Sequence, residues 1–239
     1  MMQEMSDIDI RERKAEIARA LADVRREIRA ALLATARPED SLTLIAVTKN
    51  FPAGDIRALY ELGERHFGEN REQEAHAKYE ELHTELSDAH WHFQGQIQSR
   101  KIPRIASWAS YVHSLDDLAH AAKFATQPKI PEFFLQINLE PERTDRGGVT
   151  LEDAKDFCRQ LPPAASQRLV GLMTVAPLER DPDDAFSEVR NLRDELVTTW
   201  PQLKSLSMGM SSDFESAIRN GATHIRVGSS ILGSRTQLA

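Results

Sequence analysis

The sequence predicts an α/β fold, a single (β/α)8 TIM barrel preceded by one extra helix. Three observations carry this. From residue 42 onward, short apolar runs alternate with charged, helix-prone stretches, which argues for a parallel sheet. Eight such runs are present, and eight βα units favour closure into a barrel over an open sheet. No shift in composition divides residues 42–235, so the 239 residues read as one domain.

Residues 7–36 form the extra helix, since Ile10, Ile17, Leu21, Val24, Ile28 and Leu32 recur at near-helical spacing. Arg25, Arg26 and Arg29 stand among Asp23 and Glu27, which reads as a solvated helix face. Pro38 ends the helix and opens a short turn to Ser41. The strands expected are Thr43–Thr48, Arg65–Phe67, His90–Gln94, Tyr111–His113, Glu132–Leu139, Leu169–Thr174, Ser205–Ser207 and His224–Val227. Helical stretches between them include Asn70–Leu86, Asp184–Thr199 and Asp213–Asn220. Pro162–Pro163 and Asp181–Pro182 read as loop punctuation.

A net charge of −7 gives no global attraction for phosphate backbones, so a nucleic-acid partner is not expected. Residues 1–40 carry mixed charge and no apolar leader core, and no run approaches the roughly 18 apolar residues of a membrane span. The expectation is a cytoplasmic protein with no membrane partner. Cys158, the one cysteine, sits in a helix-like run and reads as a buried thiol.

Active sites of such barrels gather at the C-terminal ends of the strands, so the residues following each strand are the candidates. Lys49 ends the first strand in LTLIAVTKN. A lysine there is a solvated charge or, if it loses solvent, a Schiff-base former. Gly68 allows a tight turn, and Asn70 is a helix cap or a polar group at the mouth. His92 is a core histidine bonded to a neighbour or a functional one, and no partner stands at metal-ligand spacing from it. Met173 ends the sixth strand and reads as core. Ser211 and Ser212 precede a helix, and either is a credible N-cap. Gly228, Ser229 and Ser230 follow the last strand. Small residues let phosphate approach backbone N–H groups, and the loops after the seventh and eighth strands are where barrels often bind it. Arg226, on the same side of its strand as Gly228, needs an anionic or ligand partner if buried.

The motifs AVTKNFP, HFGENREQE, WHFQGQIQSRK, VHSLD, QINL, GLMTVAP, LSMGMSSDFESAI and RVGSSILG together resemble the YggS/PROSC proteins, the pyridoxal phosphate homeostasis family. The resemblance runs in order from about residue 42 to 235. It implies a barrel like the N-terminal domain of alanine racemase, with pyridoxal 5′-phosphate as cofactor, bound as a covalent aldimine at Lys49. It further implies phosphate contacts from Ser211, Ser212, Gly228 and Ser229, with Arg226 near the pyridine nitrogen. Asn70, His92 and Met173 match positions near the cofactor. The sequence departs from the family pattern at Gln94, where an apolar residue is common, at Gln96, where a histidine is, and at Phe51 and Arg146, where lysines are.

Racemases of this fold use a second base, a tyrosine from a C-terminal domain. Here Tyr60, Tyr79 and Tyr111 all lie within the barrel segment, and the sequence ends a dozen residues after the last strand. The expected function is therefore that of a monomeric, non-catalytic protein of intracellular PLP homeostasis. It would hold the aldehyde and deliver it to apo-enzymes. An amino-acid racemase or other weak PLP enzyme is the alternative. A third reading, a barrel for another phosphate ligand, makes Lys49 dispensable.

Overall fold

The structure is a computed structural model that describes residues 7–143 and 146–233. Eight parallel strands close in sequence order into a barrel. They are β1 (Thr43–Val47), β2 (His66–Glu69), β3 (His90–Phe93), β4 (Tyr111–Leu115), β5 (Glu132–Gln136), β6 (Leu169–Met173), β7 (Ser205–Ser207) and β8 (His224–Val227). Pairing of Thr43 with His224 and Ala46 with Val227 makes the closure. The helices are α1 (Asp7–Ala34), α2 (Ala53–Glu61), α3 (Glu72–Leu82), α4 (Ile102–Trp108), α5 (Leu118–Ala125), α6 (Ala154–Gln160), α7 (Pro163–Ser166), α8 (Pro182–Leu196), α9 (Phe214–Arg219) and α10 (Ser229–Leu232).

All eight expected strands form, six of them with shifted ends. β2 runs on through Gly68 and Glu69, which pair with His92 and Phe93. Gly68 is thus a strand residue and not a turn. Its missing side chain matters, because a Cβ there would lie 2.4 Å from Gln94 Nε2 and 3.1 Å from Ile45 Cγ2. β5 stops at Gln136, and beyond it only Ile137 bridges to Val149. Both Pro162–Pro163 and Asp181–Pro182 start helices: Pro163 opens α7, and Pro182 opens α8. Asp181 caps α8 by accepting from Asp183 N–H at 2.8 Å.

α1 is the expected helix, and Ile17, Leu21, Val24, Ile28 and Leu32 are buried along one stripe. Ile10 departs from that stripe and is 53% exposed. The stop is made before Pro38. Ala36 takes φ 53, Ala36 N–H bonds Leu33 O at 3.1 Å, and Arg37 N–H bonds Leu32 O at 2.9 Å. That is a Schellman arrangement, with proline following it as it commonly does. The helix ahead of the barrel completes the barrel's outer ring. α10 spans only four residues, and α1 packs against α2, α9 and α10 across the β8–β1 seam. Arg13 fastens it by bonding Asp55 on α2 and the carbonyl of Leu232 on α10. Among the described residues, no helix is long and apolar enough to cross a membrane.

Alternation gives each strand an inner and an outer face. The outer face is apolar: Phe67, Trp91, Phe93, Val112 and Phe133 are buried against the helices. The inner face carries His66, His92, His113, Ser207 and Arg226, joined by the contacts described next.

Candidate functional site

Within the barrel, polar side chains join into one chain. Arg226 donates through Nη1 to Ser207 O (2.7 Å) and Ser207 Oγ (2.8 Å), and through Nη2 to Thr174 O (2.9 Å). Ser207 Oγ meets His113 Nδ1 at 2.8 Å, His113 Nε2 meets His92 Nδ1 at 2.8 Å, and His92 Nε2 meets His66 Nδ1 at 2.9 Å. A guanidinium has donors only, so among these contacts the Ser207 hydroxyl's own proton finds an acceptor only in His113 Nδ1. The Ser207 hydroxyl accepts from Arg226 and donates to His113, which assigns the proton to Nε2 in His113, His92 and His66 alike. Burial holds all three neutral. His66 falls to about 4, helped by nearby His90, while His92 and His113 lie well below their ordinary value. His92 is also stacked on Tyr111, with ring centroids 4.6 Å apart. Both its nitrogens are engaged inside the protein, so the structure makes it a bonded core histidine.

Arg226 is a buried cation without a carboxylate partner among the described residues; it is 5% exposed. Desolvation pulls its pKa down to about 10, partly offset by Asp213. Three of its N–H groups bond protein oxygens, which leaves two of the five without an acceptor here. A buried charge in that condition favours an acceptor from a ligand.

The loops after β7 and β8 meet at the mouth. Gly228 N–H and Ser230 N–H converge on Ser211 Oγ at 3.3 and 3.4 Å. These long bonds hold one oxygen where two backbone donors point. Ser211 and Ser212 are therefore not the cap of α9. The N-cap is Asp213, whose side chain accepts from Met210 N–H instead. Gly228 lies close over β1: a Cβ there would come within 3.2 Å of both Val47 Cβ and Val47 O. Ser212 and Ser229 are exposed on the same two loops, and Met173 is buried at the end of β6.

Lys49 is two residues beyond Val47. Ile45 and Val47 lie on the inner face, against Gly68 and Gly228, and Lys49 follows in the turn that leaves this strand end. It is exposed, and no hydrogen bond or ion pair holds it among the described residues. It sits in a tight turn closed by Phe51 N–H to Thr48 O at 3.0 Å, with Asn50 at φ 66. Asparagine tolerates that left-handed backbone better than most residues.

Asn70 is not a helix cap, since α3 starts at Glu72 with Arg71 before it. Its Oδ1 is buried without a partner, and so is Gln94 Nε2, which lies over Gly68. One acceptor and one donor are thus left open near the strand ends, the condition expected of a ligand or water site.

Residues 21–236 match the family described as alanine racemase, N-terminal domain. The chain is 37% identical over 245 residues to the pyridoxal phosphate homeostasis protein of Mycobacterium tuberculosis, covering 94% of this chain and 95% of that one. It is 33% identical to the Escherichia coli protein of the same name, over 92% of this chain and 97% of that one. This chain belongs to the pyridoxal phosphate homeostasis protein family. PipY of Synechococcus elongatus, solved with PLP bound, superposes with a TM-score of 0.76 at 37% identity, over 91% of this chain and 100% of that one. Alanine racemase of Corynebacterium glutamicum shares the fold, with a TM-score of 0.69 at 14% identity, over 92% of this chain and 61% of that one.

Family motifs pointed to the mouth but passed over residues that hold it together. His113 and Ser207 lie inside quoted motifs, yet their bond joins positions 94 residues apart. Glu69, Glu74 and Lys78 were also missed. A carboxylate at the end of an apolar strand, with a lysine nine positions on, was the available signal.

Proposed function

We propose that the protein binds pyridoxal 5′-phosphate at the barrel mouth, holds it as a Schiff base on Lys49, and serves intracellular PLP homeostasis. It would keep the reactive aldehyde sequestered and release it to apo-enzymes. The observation that carries this reading is the convergence of Gly228 and Ser230 N–H groups on one oxygen position, against the strand end that leads to Lys49. A phosphate oxygen would take the two N–H groups that Ser211 Oγ now accepts from, with the Ser211 hydroxyl turning aside to donate to it alongside Ser212 and Ser229. Arg226 supports the fit, as a buried cation whose spare donors suit a ring nitrogen that remains an acceptor. Asn70 Oδ1 and Gln94 Nε2 offer further polar contacts. The names of the relatives and the PLP-bound relative point the same way.

When bound, the group supplies an electrophilic aldehyde and an electron-accepting ring. An arginine beside the ring nitrogen keeps that nitrogen unprotonated, which weakens the ring as an acceptor. Lys49 supplies the amine on one face. No tyrosine stands ready as a second base: Tyr60 bonds Asp88 ahead of β3, Tyr79 packs on Trp91, and Tyr111 is the first residue of β4, at the barrel's opposite end. That arrangement supports holding over racemisation.

The test is the absorption spectrum of protein mixed with PLP, followed by borohydride reduction and peptide mass spectrometry. An imine band trapped on Lys49 and lost in Lys49→Ala supports the reading. A band of equal strength in Lys49→Ala, or none in the wild type, sinks it. Restoration of an apo-enzyme's activity by the loaded protein tests delivery, and chiral chromatography of amino acids tests the racemase alternative.

A further inference from the structure

The turn that presents Lys49 rests on a buried cluster of charge between β2 and α3. Lys78 Nζ donates to Glu69 Oε1 at 2.8 Å, to Glu74 Oε1 at 2.7 Å and to the carbonyl of Thr48 at 2.8 Å. Glu69 Oε1 also accepts from Thr48 Oγ1 at 2.6 Å. Glu74 Oε1 accepts from Asn50 N–H. The peptide groups on both sides of Lys49 are therefore bonded to one cluster, the first by Lys78 and the second by Glu74, while Glu69 holds the Thr48 hydroxyl.

Burial of these charges calls for a reason. The side chains of Glu69 and Lys78 are 0% and 9% exposed. Burial pushes the Glu69 carboxyl up, and Lys78 opposes that shift. Apolar residues of similar volume commonly stabilise a fold as well as a buried ion pair does. What apolar residues lack is direction. An ammonium with three donors can bond two carboxylates and a carbonyl at once, and its geometry then fixes all three. The Thr48 carbonyl serves two donors, Phe51 N–H and Lys78 Nζ, so the turn and the cluster share one atom. The only main-chain donor between Thr48 and Phe51 that a side chain holds is Asn50 N–H. This turn also contains the left-handed Asn50, a conformation held only where its surroundings impose it.

We propose that Lys78, with Glu69 and Glu74, is a positioning clamp that fixes the Thr48–Phe51 turn and so aims the Lys49 amine at the mouth. The purpose assigned to it rests on the reading of Lys49 as the Schiff-base lysine. Without the clamp the turn samples other conformations, and the amine loses effective concentration relative to an aldehyde held by the phosphate loops. Binding through the phosphate stays intact, because Ser211, Gly228 and Ser230 lie on other strands' loops.

Two measurements on Lys78→Met, Glu74→Ala and Glu74→Gln test this. The first needs no cofactor: amide hydrogen exchange at Asn50 and Phe51. Exchange there rises about tenfold in Lys78→Met and Glu74→Ala. It stays close to wild type in Glu74→Gln, whose amide oxygen still accepts from Asn50. Unchanged exchange in the first two variants overturns the clamp. The second compares the rate of imine formation with PLP against the Kd of pyridoxine 5′-phosphate, which lacks the aldehyde. The imine rate falls about tenfold in Lys78→Met, while that Kd stays within about twofold. A loosened turn with a wild-type imine rate overturns the positioning role. No imine in the wild type overturns both the Lys49 reading and the purpose given to the clamp, and the exchange data then decide only whether the turn is clamped. Should Lys78→Met not fold, Glu74→Ala carries both measurements, since the Glu74 side chain is 24% exposed.

Discussion

The two faces of the barrel strands differ in what they ask of their residues. Outside, Phe67, Trp91, Phe93 and Phe133 are buried against the helices, and what matters is how much apolar area leaves water. Inside, His66, His92, His113, Ser207 and Arg226 are bonded end to end, and what matters is that each donor finds its acceptor. Adjacent residues of one strand thus follow different rules. Trp91 contributes through area and His92 through pairing. The outer face supplies most of the stability, whereas the inner face orients Arg226 below the mouth.

Mutations on the two faces separate these contributions. Trp91→Ala removes a large outer side chain and lowers unfolding free energy by about 3–5 kcal/mol in urea titrations. The loss stays constant from pH 8 to pH 5; a loss that varied with pH would couple the two faces. His113→Phe interrupts the inner chain and leaves His92 Nδ1 and the Ser207 hydroxyl short of a partner, at a cost of about 1–3 kcal/mol. Unlike Trp91→Ala, it also alters the environment of Arg226. A neutral result would mean that the inner bonds contribute nothing net.

Acid reaches the inner face through its histidines. His66 and His224 have folded pKa values depressed from 6.5 to about 4 and about 3, each by burial first. A depressed value means that the stabilising contribution is whole above the unfolded pKa near 6.5 and is lost as pH falls toward the folded value. Each such histidine adds a slope of about 1.4 kcal/mol per pH unit in that window. His66→Gln should flatten the stability curve between pH 6.5 and 4 by one histidine's share, measured as urea midpoint against pH. Glu69, on the outer face, has the opposite sign. Its raised pKa favours the folded state at low pH and works against it as pH rises through the folded value. The smallest effect belongs to neither face. Ala36→Gly relieves φ 53 at the end of α1 and raises stability by about 1 kcal/mol, seen as a higher Tm.

Legibility followed range. Strands and helices were visible because periodicity is local: all eight strands and the α1 stripe could be read within a dozen residues. Lys49, Ser211, Gly228 and Arg226 could be named as candidates because strand ends and small-residue loops mark a barrel mouth, and the family resemblance gave them roles. The clamp and the inner chain were not, because their bonds need closure of the barrel. His113 and Ser207 are on β4 and β7, and nothing in either strand names the other. The caps were misread for a related reason. A serine or asparagine before a helix suits a cap by local rule, but Ser211 is drawn away by N–H groups from the following strand's loop. Gly68 looked like a turn because the need for its bareness comes from Gln94 and Ile45 on neighbouring strands.

The seating of α1 has a kinetic consequence. Arg13 bonds Leu232 O across 219 positions, and Arg37 bonds Ile218 O and Ala222 O across 181 and 185. The first helix of the chain can meet α2 and the residues just after it early, through Arg13–Asp55 and Arg25–Glu64, but the rest of its dock is missing until the last strand and α10 exist. During synthesis it must wait half-seated, with part of its apolar stripe uncovered. Closing such distant contacts is slow. That stripe is one place where a nascent or partly refolded chain would attract a chaperone.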